Sequence, residues 1–356
     1  MARIGLGEGW TCAFANDFDP LKAATYRANF KDADKHLVEG DVWEIRADNV
    51  PTADLAWASS PCQDFSLAGA RAGLKGGRSS AFFGFWSLIE AMSAQKRAPK
   101  IIVIENVVGL LTSHSGKDFQ ALCQALADQG YFFGALEIDA IKFVPQSRPR
   151  VFVIATRDPP NRELTGHCEF QSNGVCMAFA RLPAHLRARW QWWKLPSPPA
   201  RNNELQSLLD EDEEVTWHTD SQSEAFLGLM SDAHRVKVEQ VAADGRMRVG
   251  AAFRRMRQEG ARKHQRLEVR FDGVAGCLRV PSGGSSRQAL VFVESDRTRS
   301  RLISGREGAR LMGLPDTYKL PKSTSSALHV IGDGVVVNVV RFLSENLLMP
   351  LVDQER

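Results

Sequence analysis

Apolar positions in residues 1–157 fall into short runs separated by amphipathic stretches. Strands are predicted at 11–16, 36–39, 53–59, 100–105, 131–139 and 149–156, with helices at 19–30, 79–97 and 115–129. Near-continuous apolar strands alternating with helices predict an α/β fold whose sheet is covered on both faces and largely parallel. The helix over 79–97 carries Phe82, Phe83, Phe85, Trp86, Ile89 and Met92, an aromatic face that reads as core. Beyond Asp158-Pro159-Pro160 the pattern breaks. Residues 160–295 show weak periodicity, the cluster Trp190-Gln191-Trp192-Trp193, a proline-rich stretch at 195–199 and an acidic run at 210–214. These features predict a separate, irregular domain. Regular structure is expected again as a helix around 306–313 and an apolar helix at 335–348.

Composition narrows the class. With 356 residues, 44% of them hydrophobic and 24% charged, the chain suits one large core plus a smaller domain. No apolar stretch is expected to reach the roughly 18 residues that span a bilayer, and the N-terminus lacks the pattern of a signal peptide. The six cysteines (12, 62, 123, 168, 176, 277) are scattered, which points to a reduced, cytoplasmic protein without a metal site. The net charge of +3 is small, but its distribution is uneven. Between 246 and 270 lie Arg246, Arg248, Arg254, Arg255, Arg257, Arg262, Lys263, Arg266 and Arg270, against Glu259 and Glu268 alone. Such a stretch fits a surface that tracks a polyanion and an ordinary solvated surface equally well.

Candidate chemistry sits at strand ends. Ser60-Pro61-Cys62-Gln63 follows the apolar run 53–59, and Glu105-Asn106-Val107 closes the run Ile101-Ile102-Val103-Ile104. Open α/β sheets bind ligands at the edge where their strands end. A thiolate at Cys62 would be a nucleophile, and Glu105 is either an acid beside it or a surface carboxylate. In Val144-Pro145-Gln146-Ser147-Arg148-Pro149-Arg150, two arginines at alternate positions point the same way, as a clamp for an acidic group or as a salt-bridged surface. The glycine-rich stretch 69–77 suits a loop that closes over a ligand and equally a plain surface loop.

Pro61-Cys62-Gln63, Glu105-Asn106-Val107 and Gln146-Ser147-Arg148-Pro149-Arg150 resemble, in order and spacing, the motifs of DNA (cytosine-5) methyltransferases. Arg306-Glu307-Gly308-Ala309-Arg310-Leu311-Met312-Gly313-Leu314-Pro315 and Ile331-Gly332-Asp333-Gly334-Val335 resemble that family's later motifs. Asn16-Asp17-Phe18-Asp19 and Gly40-Asp41-Val42 resemble its cofactor-binding acidic segments. The resemblance covers about 1–157 and 300–348. It implies a Rossmann-like sheet dependent on S-adenosylmethionine, with a smaller target-recognition domain. The corresponding division is 1–157 catalytic, 158–299 target recognition, 300–326 bridging and 327–356 returning to the catalytic domain.

The resemblance also implies roles. A cytosine of double-stranded DNA is flipped out, Cys62 adds to its carbon 6, and Glu105 protonates ring nitrogen 3. Arg148 contacts the base carbonyl and supports Glu105, and Arg150 orders the site. Asp17 holds the ribose hydroxyls of the cofactor, Phe18 stacks on its adenine and Asp41 accepts from the adenine amino group. Val42 offers backbone, and Pro61, Asp333, Gly334 and Val335 complete the cofactor site. The implied setting is a cytoplasmic, nucleoid-associated enzyme of bacterial or phage type, acting alone or beside a cognate restriction endonuclease. No membrane and no metal are expected. The tRNA-methylating branch is the rival in chemistry, although its recognition domain is much shorter.

Two departures from the family pattern stand out. The family opens with a strand and a Phe-x-Gly-x-Gly turn, whereas Met1-Ala2-Arg3-Ile4-Gly5-Leu6-Gly7 resembles the stretch after that turn. A missing first strand predicts weak cofactor binding and leaves a truncated, catalytically impaired DNA-binding relic as the alternative. Asp333 also stands where most members have asparagine.

Overall fold

The computed structural model describes residues 1–59, 81–211, 215–280, 287–295 and 297–353. The chain divides into two compact units. The first comprises 1–139, 149–199 and 339–356, and the second 140–148 and 200–338. These bounds differ from the sequence-based ones chiefly because 158–199 belongs with the first unit.

In the first unit, β1 (Ala15–Asp17) pairs in parallel with β2 (Leu37–Glu39). A separate sheet runs in the order β3-β4-β6-β5, built from Leu55–Ala58, Ile101–Val107, Pro149–Thr156 and Phe132–Asp139. Only β3 and β4 are parallel there, while β4–β6 and β5–β6 are antiparallel. The sheet is therefore mixed rather than largely parallel. The connection 140–148 is too short to carry the crossover that a parallel β5–β6 pair would need. Among the described residues no strand joins β1 to β3. The expected strand 11–16 shortens to 15–17, because Thr11 to Phe14 enter no ladder.

Helices Ala81–Ala94 and Lys117–Asp128 cover this sheet. Phe82, Trp86, Phe119, Leu122, Ile102, Ile104, Phe133 and Val153 share one buried cluster. Trp190 is in the same cluster, so the tryptophan-rich stretch is core of the first unit rather than part of a separate domain. Its backbone extends the sheet beside β5. Phe133 N–H donates to Arg189 O at 3.1 Å, and Gln191 N–H donates to Phe133 O at 2.7 Å. Gly134 permits that approach, since a Cβ there would lie 1.9 Å from Gln191 O.

The second unit is far more regular than its sequence suggests. It carries an antiparallel sheet in the order β10-β9-β7-β8, from Arg297–Leu302, Ala289–Glu294, Arg248–Glu259 and Arg262–Arg270. Ala252, Leu267, Val269, Val291 and Val293 form its core. The helix Gly305–Leu311 starts with a capping box between Ser304 and Glu307. Near the C-terminus, the helical run Thr324–Asp353 is long and apolar enough to cross a membrane (mean hydropathy 1.5), contrary to the expectation of no such stretch. Of its most apolar window, 67% is buried inside the protein, which is the behaviour of core helices.

Candidate active site

The end of β4 presents Glu105, which is only 4% exposed. In the antiparallel register Glu105 lies opposite Phe152 and Val107 opposite Arg150, so Glu105 and Arg150 are diagonal neighbours on one face. Arg150 Nε sits 3.1 Å from Glu105 Oε1. Asn106 turns its side chain back, and its Oδ1 accepts from Val107 N–H at 2.9 Å. Of the two arginines expected to point together, only Arg150 lies within a strand. Arg148 precedes β6 and belongs to the second unit. There it is buried, donating at 2.8 Å each to Leu278 O, Gly332 O and Gly334 O. Gln146 is buried beside it and ties Leu278 N–H (3.0 Å) to Leu311 O (2.7 Å). The motif Gln146–Arg150 thus has two jobs. Its first half locks loops of the second unit and its last arginine reaches the strand-end carboxylate of the first.

A second group lies where β1 and β2 end. Asp19 caps the helix Pro20–Asn29, accepting from Leu21 N–H at 2.8 Å and Lys22 N–H at 3.2 Å. Asp17 Oδ1 accepts from Asp19 N–H at 2.9 Å. That tight turn leaves Phe18 74% exposed. Across the pair, Asn16 Nδ2 donates to Val38 O and Gly40 O at 2.9 Å each, and Gly40 N–H donates to Asp17 O at 3.1 Å. Asp41 then caps the turn Val42–Glu44 through Trp43 N–H at 3.1 Å. The result is two carboxylates, Asp17 and Asp41, at one strand edge with the exposed rings of Phe18 and Trp43 (44% exposed). Sequence reasoning missed Trp43, although it directly follows Val42. It also missed Gly84, where an added Cβ would lie 2.5 Å from Val42 Cγ1 and 3.3 Å from Trp43 Nε1. Only glycine lets the helix Ala81–Ala94 approach that turn so closely.

Cys62 and Pro61 lie outside the described residues, as does the glycine-rich stretch 69–77. Asp333, Gly334 and Val335 are in the second unit, with Asp333 ending the helix Thr324–Gly332 and Val335 buried. Among the other thiols, burial pushes Cys123 well above its ordinary range, in keeping with an inert core residue.

With this geometry in view, comparison with known proteins is decisive. Residues 2–349 match the family described as C-5 cytosine-specific DNA methylase. The chain belongs to that family. It is a DNA cytosine-5 methyltransferase that uses S-adenosylmethionine. Among its relatives, the type II methyltransferase M.HhaI of Haemophilus parahaemolyticus is 23% identical over 340 residues, covering 95% of this chain and 88% of the relative. The type II methyltransferase M.DsaV of Dactylococcopsis salina is 26% identical over 355 residues, covering 98% and 83%. In fold, the chain is similar to the Dnmt2 methyltransferase of S. pombe, with a TM-score of 0.58 at 18% identity over 98% of this chain and 94% of that one.

The edge of β1 and β2 fits the cofactor. Carboxylates suit ribose hydroxyls and an adenine amino group, and exposed aromatic rings suit stacking on the adenine face.

Proposed function

We propose that this chain methylates cytosine in double-stranded DNA through a covalent cysteine adduct on a flipped base. The observation that carries the reading is the buried Glu105 at the end of β4, with its Oε1 taken by Arg150. A carboxyl fixed in this way offers Oε2 to a base edge in one orientation only. Cys62, as thiolate, forms a bond from sulfur to carbon 6 of the ring, and ring nitrogen 3 receives a proton from Glu105. S-adenosylmethionine, when bound, supplies the methyl group that carbon 5 receives. Loss of the proton on carbon 5 to solvent, with return of the nitrogen 3 proton to the Glu105 carboxylate, then breaks the sulfur–carbon bond and frees Cys62 as thiolate.

Asp17, Phe18, Asp41 and Val42 are assigned to the adenosine part of the cofactor, with Trp43 added to their number. Pro61, Asp333, Gly334 and Val335 complete the assignment. Arg148 is reassigned from the base carbonyl to the clamp, because its four terminal N–H groups are spent on Cys277 Sγ, Leu278 O, Gly332 O and Gly334 O. The support of Glu105 passes to Arg150. Residues 200–302 are assigned to target recognition. The type II names of the relatives support a place beside a restriction endonuclease of the same specificity, or as a solitary methylase.

The test is bisulfite sequencing of DNA from a methylation-free host that expresses the gene, beside a host that expresses Cys62→Ser. A defined methylated sequence in the first and none in the second is expected. Equal patterns in the two would remove Cys62 from the reaction.

A further inference from the structure

Strands β7 and β8 leave their sheet. β9 pairs with β7 only along Arg248–Ala252, while the β7–β8 ladder continues from Phe253↔Glu268 to Glu259↔Arg262. These seven rungs, six steps of about 3.4 Å apart, make a two-stranded ribbon roughly 20 Å long. Residues 255–264 are exposed without exception. A bare two-stranded hairpin is at best marginally stable in water, so stability alone does not account for it.

Its chemistry is lopsided. Arg254, Arg255, Arg257, Arg262, Lys263 and Arg266 face only Glu259 and Glu268. Arg255 stands directly opposite Arg266, a like-charge pair that costs stability. Glu268 holds Arg257 and, at 3.6 Å, Arg255, while Glu259 holds Arg266 at 2.7 Å. At the tip, Arg262 and Lys263 have no ion pair among the described residues. Being adjacent on one strand, they leave opposite faces of the ribbon.

We propose that this ribbon is a phosphate-gripping arm for duplex DNA, which lengthens the stretch of duplex held without choosing its sequence. The proposal rests on the reading that the substrate is duplex DNA. A two-stranded ribbon fits the major groove, which is about 12 Å wide. The register puts Arg255, Arg257, Arg262 and Arg266 on one face with Glu259 and Glu268, and Arg254 and Lys263 on the other. Each face therefore carries more cations than carboxylates, which suits a ribbon lying between two walls of phosphates. Arginine and lysine at these positions pair phosphates irrespective of sequence.

The test compares the full-length wild type with Arg262→Ala/Lys263→Ala on mixed-sequence duplex DNA across a salt series. Each phosphate contact contributes about 0.9 to the slope of log affinity against log salt, so the double variant is expected to flatten it by nearly two. The charge-keeping variant Arg262→Lys/Lys263→Arg should hold the wild-type slope, and the methylated sequence found by bisulfite sequencing should be unchanged in both. An unchanged slope in the alanine variant, with methylation of duplex DNA intact in the wild type, overturns the arm alone. A changed methylated sequence also overturns it, because the ribbon would then be reading bases. Wild type that neither binds nor methylates duplex DNA, or that prefers structured RNA, overturns the arm and the duplex reading together.

Discussion

Glu307 is the residue whose removal should be felt most in the second unit. It is 1% exposed and faces Arg301, also 1% exposed, with Oε2 at 2.8 Å from one guanidinium nitrogen and Oε1 at 2.6 Å from the other. The same carboxylate accepts from Ser304 N–H at 2.8 Å and from Asp210 N–H at 3.0 Å. Replacing it with leucine keeps much of the volume but leaves a buried guanidinium and two backbone donors without their acceptor. Breaking a buried pair on one side costs about 3–5 kcal/mol. Removing both charges with Arg301→Met/Glu307→Leu spares the stranded cation and leaves chiefly the two orphaned N–H groups, at about 1–3 kcal/mol each before relaxation. Glu307→Leu alone orphans the same two N–H groups and strands the Arg301 cation as well, so the double variant should be more stable than it, by roughly 1–3 kcal/mol. Urea titration followed by circular dichroism reads this as a midpoint shift at constant slope. Additive losses in the double variant, or a single variant within about 1 kcal/mol of wild type, would refute the reasoning.

Three other outcomes follow from the first unit. Burial, and then the nearby Arg3, hold His36 below its ordinary 6.5, with the Asp32 carboxylate pulling the other way. Arg3 can only donate, so His36 Nε2 accepts at 3.2 Å and the ring proton is placed on Nδ1. Because the folded value is depressed, the unfolded chain binds the proton first. Stability is whole above 6.5 and is lost as pH falls through the folded value, a decline that His36→Gln should flatten in pH-dependent urea titrations. Gly84→Ala favours the helix by up to about 1 kcal/mol. It should nevertheless weaken S-adenosylmethionine binding about tenfold by displacing Val42 and Trp43, and unchanged calorimetric affinity would separate that turn from the cofactor. Arg150→Met should lower kcat for methyl transfer on the order of 10²-fold by freeing Glu105, with cofactor affinity retained; an equal kcat would show that Glu105 needs no partner.

The sequence was most legible where one physical signal dominated. Ile101–Val107 and Pro149–Thr156 are built on the continuous apolar runs 101–104 and 151–155, and both became buried strands close to their expected bounds. The β7–β8 ribbon was illegible as structure because its outer half is charged on both faces and shows no apolar period. Trp190 and Trp193 were assigned to another domain because their role depends on docking beside β5, a contact between segments far apart in the chain. Arg148 and Arg150 have the same chemistry and nearly the same position. Only the start of β6 at Pro149 separates the clamp of the second unit from the partner of Glu105. Asp17 and Asp41 were named through resemblance alone and their cofactor roles are proposals, whereas the close approach at Gly84 leaves no mark on its own helix.

The covalent step is tested most directly by trapping. Duplex DNA in which every cytosine carries fluorine at carbon 5 has no proton there to lose, so an enzyme that adds cysteine to carbon 6 and transfers the methyl group remains attached. With S-adenosylmethionine present, the wild-type chain should migrate as a denaturant-resistant protein–DNA adduct whose mapped peptide contains Cys62, and Cys62→Ser should give none. A wild type that methylates ordinary duplex DNA yet forms no adduct on the fluorinated one, or an adduct mapped to another cysteine, would contradict the assignment.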